Sequence, residues 1–159
     1  MGLTTRRHTI DRLSNAVIKE SNKSTCGIRS KHGALILDRK GNIIGKGHNT
    51  RINYLYALLI KRIIKTNVEI RTIHAEMSAV MDCIEHGNKD KLHGSTIILY
   101  GTRYYSGKEV VSTPCSVCSV LLNRLGTINF VSISSSVLPE NKRKDKYRRK
   151  IYYRGFKKR

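Results

Sequence analysis

Two short motifs carry residues of the types that bind zinc. The first is His-Ala-Glu at 74–76, and the second is Pro-Cys-Ser-Val-Cys at 114–118. Cys115 and Cys118 are three residues apart, so on a helix both sulfur atoms lie on one face and can share a metal ion. His74 supplies a third ligand of a type that zinc favours. Three protein ligands leave the fourth tetrahedral position for water, which is typical of a catalytic zinc site rather than a structural one.

Other interpretations of these motifs remain open. A Cys-x-x-Cys pair could serve redox chemistry, although that leaves His74 without a role. A structural zinc would need a fourth protein ligand, such as Cys26, Cys83 or another histidine. We interpret Cys26 and Cys83 instead as small buried side chains. The remaining histidines are interpreted as surface or packing residues: His32, His48, His86 and His93.

The carboxylate of Glu76 has a chemical use beside such a zinc ion. A carboxylate next to zinc-bound water can take its proton and deliver it to a ring nitrogen and a leaving amine. On a regular helix, however, Glu76 would point about 200° away from His74, since a turn takes about 3.6 residues. The two side chains can therefore meet only if the helix begins at His74. The alternative role for Glu76 is that of an acid favoured by the dipole at a helix N-terminus.

The two motifs together resemble those of the zinc-dependent cytidine and deoxycytidylate deaminase family, whose pattern is His-x-Glu followed by Pro-Cys-x-x-Cys. The resemblance covers about residues 31–134, and segments 31–37 and 47–49 are similar to the family's hairpin. It implies a hydrolase that deaminates a nucleobase, with Zn²⁺ as cofactor on His74, Cys115 and Cys118 and with Glu76 as the catalytic proton shuttle. It also implies substrate contacts by Asn49, by the main-chain amide of Ala75 and by the main-chain carbonyl of Thr113.

Hydrophobic periodicity predicts an α/β fold. A helix is expected at 6–20, a hairpin at 32–47, helices at 53–65 and 72–85 (with Thr72 as N-cap), a strand at 96–100, a loop at 101–112, a helix at 115–125 and a strand at 128–133. A strand, a crossover helix and a strand in this order favour a parallel pair. The family resemblance implies a three-layer α-β-α arrangement with a mixed sheet.

Charge divides the chain into two parts. The formal net charge is +20, and segment 142–159 holds eleven basic residues against one acid, Asp145, which gives it half of the total. We predict a deaminase domain at 1–138 and a basic C-terminal tail at 139–159, in which only 151–153 weakly resembles the last strand that the family usually has. Such a tail suits a nucleic acid or an anionic lipid surface, or is simply solvated.

The sequence also indicates the setting in which the chain works. It contains no apolar run long enough to cross a membrane, and because no apolar stretch follows its basic start, a secretory signal is not expected. An intracellular, reducing compartment is therefore expected, in which the four cysteines serve as ligands or buried thiols. The apolar stretch 54–64 could be a surface for homo-oligomers.

Three functions are compatible with these features. The first is deamination of a free cytosine nucleotide or nucleoside, which the hairpin and the loop after 96–100 favour. The second is deamination of a base within RNA or DNA, such as a tRNA adenosine or a polynucleotide cytidine, which the basic residues favour. The third is a nucleic-acid-binding module with a structural zinc.

Overall fold

A computed structural model describes residues 2–26, 29–51, 72–127, 129–134 and 150–155, together with positions 58, 61, 62 and 65. Within these residues the continuous α-helices are α1 (Gly2–Ser21), α2 (Ala75–Glu85) and α3 (Ser116–Arg124), and Lys89–Leu92 forms a short 3₁₀ helix. The strands are β1 (Ser30–Leu37), β2 (Ile43–His48), β3 (Thr50–Arg51), β4 (Thr72–Ile73), β5 (Thr96–Arg103), β6 (Glu109–Val110), β7 (Asn129–Ser134) and β8 (Lys150–Gly155). In this part of the chain no helix has the length and hydropathy of a membrane span.

The main sheet is mixed and runs in the order β2-β1-β5-β7-β8. Strands β5 and β7 are parallel over Thr96–Tyr100, and the other neighbouring strands are antiparallel. Strand β6 pairs with β5 at Gly101 and Thr102, on the same side of β5 as β7. A separate short ladder joins β3 to β4 and so holds the end of the hairpin beside the residues that precede α2.

Helices cover both faces of this sheet, because residues of each strand alternate between two cores. Leu35 of β1 and Ile98 of β5 belong to the core that contains Val17 of α1. Their neighbours Ile36 and Ile97 belong to the opposite core, which α2 and α3 cover. The predicted three-layer α-β-α fold with a mixed sheet is therefore confirmed.

The hairpin between β1 and β2 follows from its turn residues. Oδ1 of Asp38 accepts hydrogen bonds from the main-chain N–H groups of Lys40 (2.8 Å) and Asn42 (2.9 Å), and Gly41 adopts a φ of 83°. On β2, Gly47 lets α2 lie close to the sheet, because a Cβ atom there would lie 2.5 Å from the main-chain oxygen of Ala75. The start of α2 is thus held against the end of the hairpin.

Several expectations about individual elements are corrected. Thr72 lies in β4 and does not cap α2, whose N-cap is His74, because the short β3–β4 ladder takes up residues 72 and 73. Segment 101–112 is not a loop throughout, since β5 continues to Arg103 and β6 returns beside it. The helix and the self-association surface predicted in 53–65 fall almost wholly outside the described residues.

The C-terminal segment contributes to the sheet. The weak strand candidate at 151–153 lies inside β8, which pairs antiparallel with β7 from Asn129 opposite Gly155 to Ser134 opposite Lys150. Part of the basic segment is therefore an edge strand. The division between a domain at 1–138 and a tail at 139–159 stays a prediction.

Candidate active site

The two predicted motifs meet at the starts of two helices. His74 is the N-cap of α2 in an extended conformation, and Cys115 is the N-cap of α3. The helix that carries Glu76 begins at Ala75, so His74 does not follow the helical rotation that would turn it away from Glu76. The two side chains could meet only if the helix began at His74; the structure has His74 as the N-cap and Ala75 as the first helical residue, so the ring and the carboxylate can face the same space.

The distances among the three predicted ligands fit a zinc ion. Nδ1 of His74 lies 3.5 Å from the sulfur of Cys115 and 3.5 Å from the sulfur of Cys118. A tetrahedral zinc with bonds of about 2.3 Å to sulfur and about 2.0 Å to nitrogen separates such atoms by about 3.5 Å. Among the described residues, these three form the group of ligand types that could hold a metal. Cys83, one candidate for a fourth ligand, instead donates to the carbonyl of Asn88.

The surroundings of Cys115 favour its thiolate form. A hydrogen bond from the Cys118 thiol, with the help of His74 and against the effect of burial, lowers the pKa of Cys115 to about 3. The N–H of Cys118 also points at this sulfur, at 3.5 Å, as expected for an N-cap at the positive end of a helix. The shared proton raises the pKa of Cys118. Cys115 is thus a thiolate that can bind a cation, and the thiol of Cys118 would lose its proton when the metal binds.

Glu76 lies in the first turn of α2 and is 7% exposed. Burial raises the pKa of its carboxyl group, although its own N–H and the charge of His74 act in the opposite direction. A carboxyl group with a raised pKa changes its protonation state more readily near neutral pH, as a general acid and base must. The carboxyl group is therefore buried beside the ligand cluster and has a raised pKa.

A cavity of about 500 Å³ opens beside this cluster. Its wall includes Glu76 and His74 and also the three predicted substrate residues, Asn49, Ala75 and Thr113. Ala75 is the first residue of α2, so its N–H has no acceptor within the helix and can serve a ligand. A cavity of this volume is within the usual range for small-molecule sites, about 300–1,000 Å³.

Asn49 is held by the first strand. Its Oδ1 accepts a hydrogen bond of 2.8 Å from the N–H of His32, and its Nδ2 donates one of 2.8 Å to the carbonyl of Ser30. A primary amide has two donor hydrogens and two acceptor lone pairs, so one of each remains for a ligand. Asn49 is thus a fixed polar group at the cavity wall.

His32 and Ser112 also line this cavity, although the sequence did not single them out as site residues. Nδ1 of His32 lies 2.9 Å from the hydroxyl of Ser112, and Nε2 lies 2.6 Å from the hydroxyl of Ser30. The ring fits because His32 lies opposite Gly101 in the ladder, where a Cβ atom would lie 2.6 Å from Nδ1. Because side chains along a strand alternate between its two faces, the sequence could have placed His32 on the same face as Ala34. No sequence motif indicated its contact with Ser112.

The other candidates lie apart from the metal cluster. Cys26 is buried and lines the cavity without joining the group of ligands. His48 bonds to Glu20, His86 to the carbonyl of Asp82, and His93 to Arg39. These three histidines have packing or surface contacts, as predicted.

A match to a known protein family agrees with the motifs. The family model for the cytidine and deoxycytidylate deaminase zinc-binding region matches residues 7–134. No curated protein sequence matches the chain. Solved structures that are similar include a cytidine deaminase from Burkholderia pseudomallei, with 18% identity over 75% of this chain and 78% of that one and a TM-score of 0.48. Another is the cytidine deaminase from Mycobacterium tuberculosis, with 19% identity over 76% and 80% of the two chains and a TM-score of 0.43. Because the family model spans most of its length, this chain belongs to the cytidine and deoxycytidylate deaminase family, with the zinc-binding region that defines it.

Proposed function

We propose that the chain is a zinc-dependent hydrolase that deaminates a free cytosine nucleotide or nucleoside. One observation carries the proposal: the ligand cluster of His74, Cys115 and Cys118 adjoins a cavity of about 500 Å³, whose wall includes His74, Cys115 and the buried carboxylate of Glu76. A metal site, a proton carrier and space for a small substrate are thus adjacent. Bound zinc would supply a Lewis acid with a free position for water, whose pKa it lowers to about 7.

Glu76 would carry the protons of the reaction. The carboxylate would take one proton from the attacking water and deliver it to a ring nitrogen of the base. It would then carry the remaining proton of the newly added hydroxyl group to the amino group, which leaves as ammonia as the carbon–nitrogen bond breaks and the carbonyl forms. Its buried position supports this role, since a carboxyl group shielded from bulk water exchanges protons with the substrate rather than with solvent.

Three other groups would orient the substrate. The free N–H of Ala75 would donate to the carbonyl oxygen of the base, and the carbonyl of Thr113 would accept from its amino group. The remaining donor and acceptor of Asn49 suit a sugar hydroxyl. All three residues line the cavity with Glu76, so a single bound nucleoside could meet all of them at once.

The test is a panel of substrates offered to the purified, zinc-loaded chain, with ammonia release as the readout. The panel contains cytidine, deoxycytidine, their monophosphates, single-stranded DNA and tRNA. We expect turnover of a free cytosine compound. A chain with Cys115→Ser and Cys118→Ser is the inactive control and should lose its zinc.

Two results of this panel would contradict the proposal. Turnover restricted to the polymers would indicate a deaminase of bases within nucleic acid. Bound zinc without turnover of any substrate would indicate a binding module with a structural metal. A contact between segment 142–159 and nucleic acid stays a prediction, as do an intracellular location and self-association.

A further inference from the structure

A cluster of basic and aromatic side chains lies around the β5–β6 turn and the start of β1, and its member Arg29 also lines the cavity. We call it the mouth platform, and it consists of Arg29, Lys31, Arg103, Tyr104, Tyr105 and Lys108. The side chain of Tyr105 is 87% exposed and that of Tyr104 is 41% exposed. Two neighbouring aromatic side chains are thus both accessible to a partner.

The platform is held in place by hydrogen bonds. The N–H of Tyr104 donates to the carbonyl of Arg29 at 3.0 Å, which joins the β5–β6 turn to the start of β1. Within the turn, the N–H of Arg103 donates to the carbonyl of Lys108 at 2.8 Å, and that of Gly107 donates back to Arg103 at 2.9 Å. Tyr104 and Tyr105 therefore lie in a turn whose main chain is held by hydrogen bonds.

The ring of Tyr104 makes a cation–π contact with Lys31 and an edge-to-face contact with the ring of Tyr105. Nζ of Lys31 lies 5.1 Å from the centre of the Tyr104 ring, and the rings of Tyr104 and Tyr105 meet edge to face at 5.4 Å. This contact fixes the Tyr104 ring. Tyr105 keeps most of its ring surface in water, where a flat partner can stack on it.

The charged residues around these rings are mostly basic. In segments 26–37 and 101–114 the only acid is Glu109, and its carboxylate accepts a hydrogen bond of 3.1 Å from the hydroxyl of Tyr100. Arg29, Arg103 and Lys108 are exposed. The chain as a whole carries +20. A polyanion with flat rings fits this combination, because its phosphates pair with the cations and its bases stack on tyrosine.

We infer that the mouth platform binds single-stranded nucleic acid, with a base stacked on Tyr105 and phosphates beside Arg103 and Lys108. Double-stranded nucleic acid would not offer a free base face to the ring. The inference goes beyond the proposed function and does not depend on it, since a strand without cytosine should bind equally well.

The test measures fluorescence anisotropy of oligothymidylate and oligouridylate of about 12 nucleotides, a length within the usual site sizes, with the full chain at several salt concentrations. Tyr105→Ala should weaken binding of both strands about tenfold and leave the salt slope unchanged, because a stacked base is lost and no charge is. Tyr105→Phe should bind like the unaltered chain. Lys108→Ala should lower the log–log salt slope by about 0.7.

The matched control is Lys40→Ala. Lys40 is an exposed lysine in the turn after β1, at the opposite end of an eight-residue strand and so about 25 Å from the platform. The Lys40→Ala variant should leave the affinity for both strands and the salt slope unchanged. Segment 142–159 is the same in all variants, so it cannot account for a difference between them. Unaltered binding by Tyr105→Ala would overturn the inference, and so would equal effects of Lys40→Ala and Lys108→Ala. Neither outcome bears on deamination of a free nucleoside.

Discussion

Replacing Gly47 with alanine should damage the metal site without touching any ligand. Gly47 lies on β2 where the first turn of α2 packs against it, and an added Cβ atom would lie 2.5 Å from the oxygen of Ala75 and 2.7 Å from the carbonyl carbon of Ser78. Both atoms are main chain and cannot rotate away. The start of α2, with His74 and Glu76, must therefore move relative to the hairpin.

The size of this movement follows from the contact distances. Ordinary carbon contacts are about 3.5 Å or longer, so the helix must move by about 1 Å. Zinc ligands tolerate errors of about 0.2 Å, and a displacement of 1 Å at a reacting centre can cost about 10²-fold in rate. Overpacking of this kind also lowers the free energy of unfolding by about 1–3 kcal/mol. We therefore expect weaker zinc binding and a large loss of turnover in a chain that still folds.

The assay combines a zinc-competition titration, cytidine turnover and urea denaturation. The control is Gly107→Ala, because Gly107 has a φ of 63° and no atom within 4 Å of an added Cβ. That variant should lose about 1–2 kcal/mol through backbone strain alone, with zinc affinity and turnover unchanged. If Gly47→Ala binds zinc and turns over cytidine like the unaltered chain, the close approach of α2 and β2 does not position the site.

Three further predictions concern stability. Burial raises the pKa of Glu20, but hydrogen bonds from Lys23 and His48 outweigh this effect and bring the pKa below 4.5. The Glu20→Gln variant should therefore be less stable than the unaltered chain above this pH, and in acid denaturation the difference in stability should vanish. Burial lowers the pKa of His32 below 6.5, so stability should fall as pH drops through 6.5, and this slope should be absent from urea midpoints of His32→Gln. Truncation after residue 139 removes β8, so the thermal midpoint should fall; an unchanged midpoint would show that the strand adds no stability.

Much of the fold could be predicted because local patterns and tertiary structure agree. The apolar run of β1, the turn of Asp38 and Gly41, and the stripe of α2 each specify one conformation. The loop predicted at 101–112 was wrong in part, because β6 is two residues long and depends on pairing with β5. The edge strand β8 was only a weak candidate, since its basic residues hide the β pattern and its partner lies sixteen or more residues away.

The site was predictable where it rests on chemical type and spacing. The motifs predicted the ligand cluster of His74, Cys115 and Cys118 that the structure brings together. They also predicted that Glu76 lies beside it. Ser112 and His32 were missed, because their contact joins residues 80 positions apart through the β1–β5 ladder and carries no local signal. The same long-range pairing places Tyr104 and Tyr105 beside Arg29, which the sequence alone does not show.

The central claim is that Glu76 moves protons beside a zinc ion that other residues hold. The most direct measurement is the turnover of cytidine by zinc-loaded Glu76→Gln, with its zinc content determined on the same sample. Glutamine keeps the size and polarity of the side chain but cannot carry the proton, so we expect one zinc per chain and turnover at least about 10²-fold below that of the unaltered chain. Turnover close to that of the unaltered chain would contradict the account, and loss of the zinc would show that the carboxylate serves the metal instead.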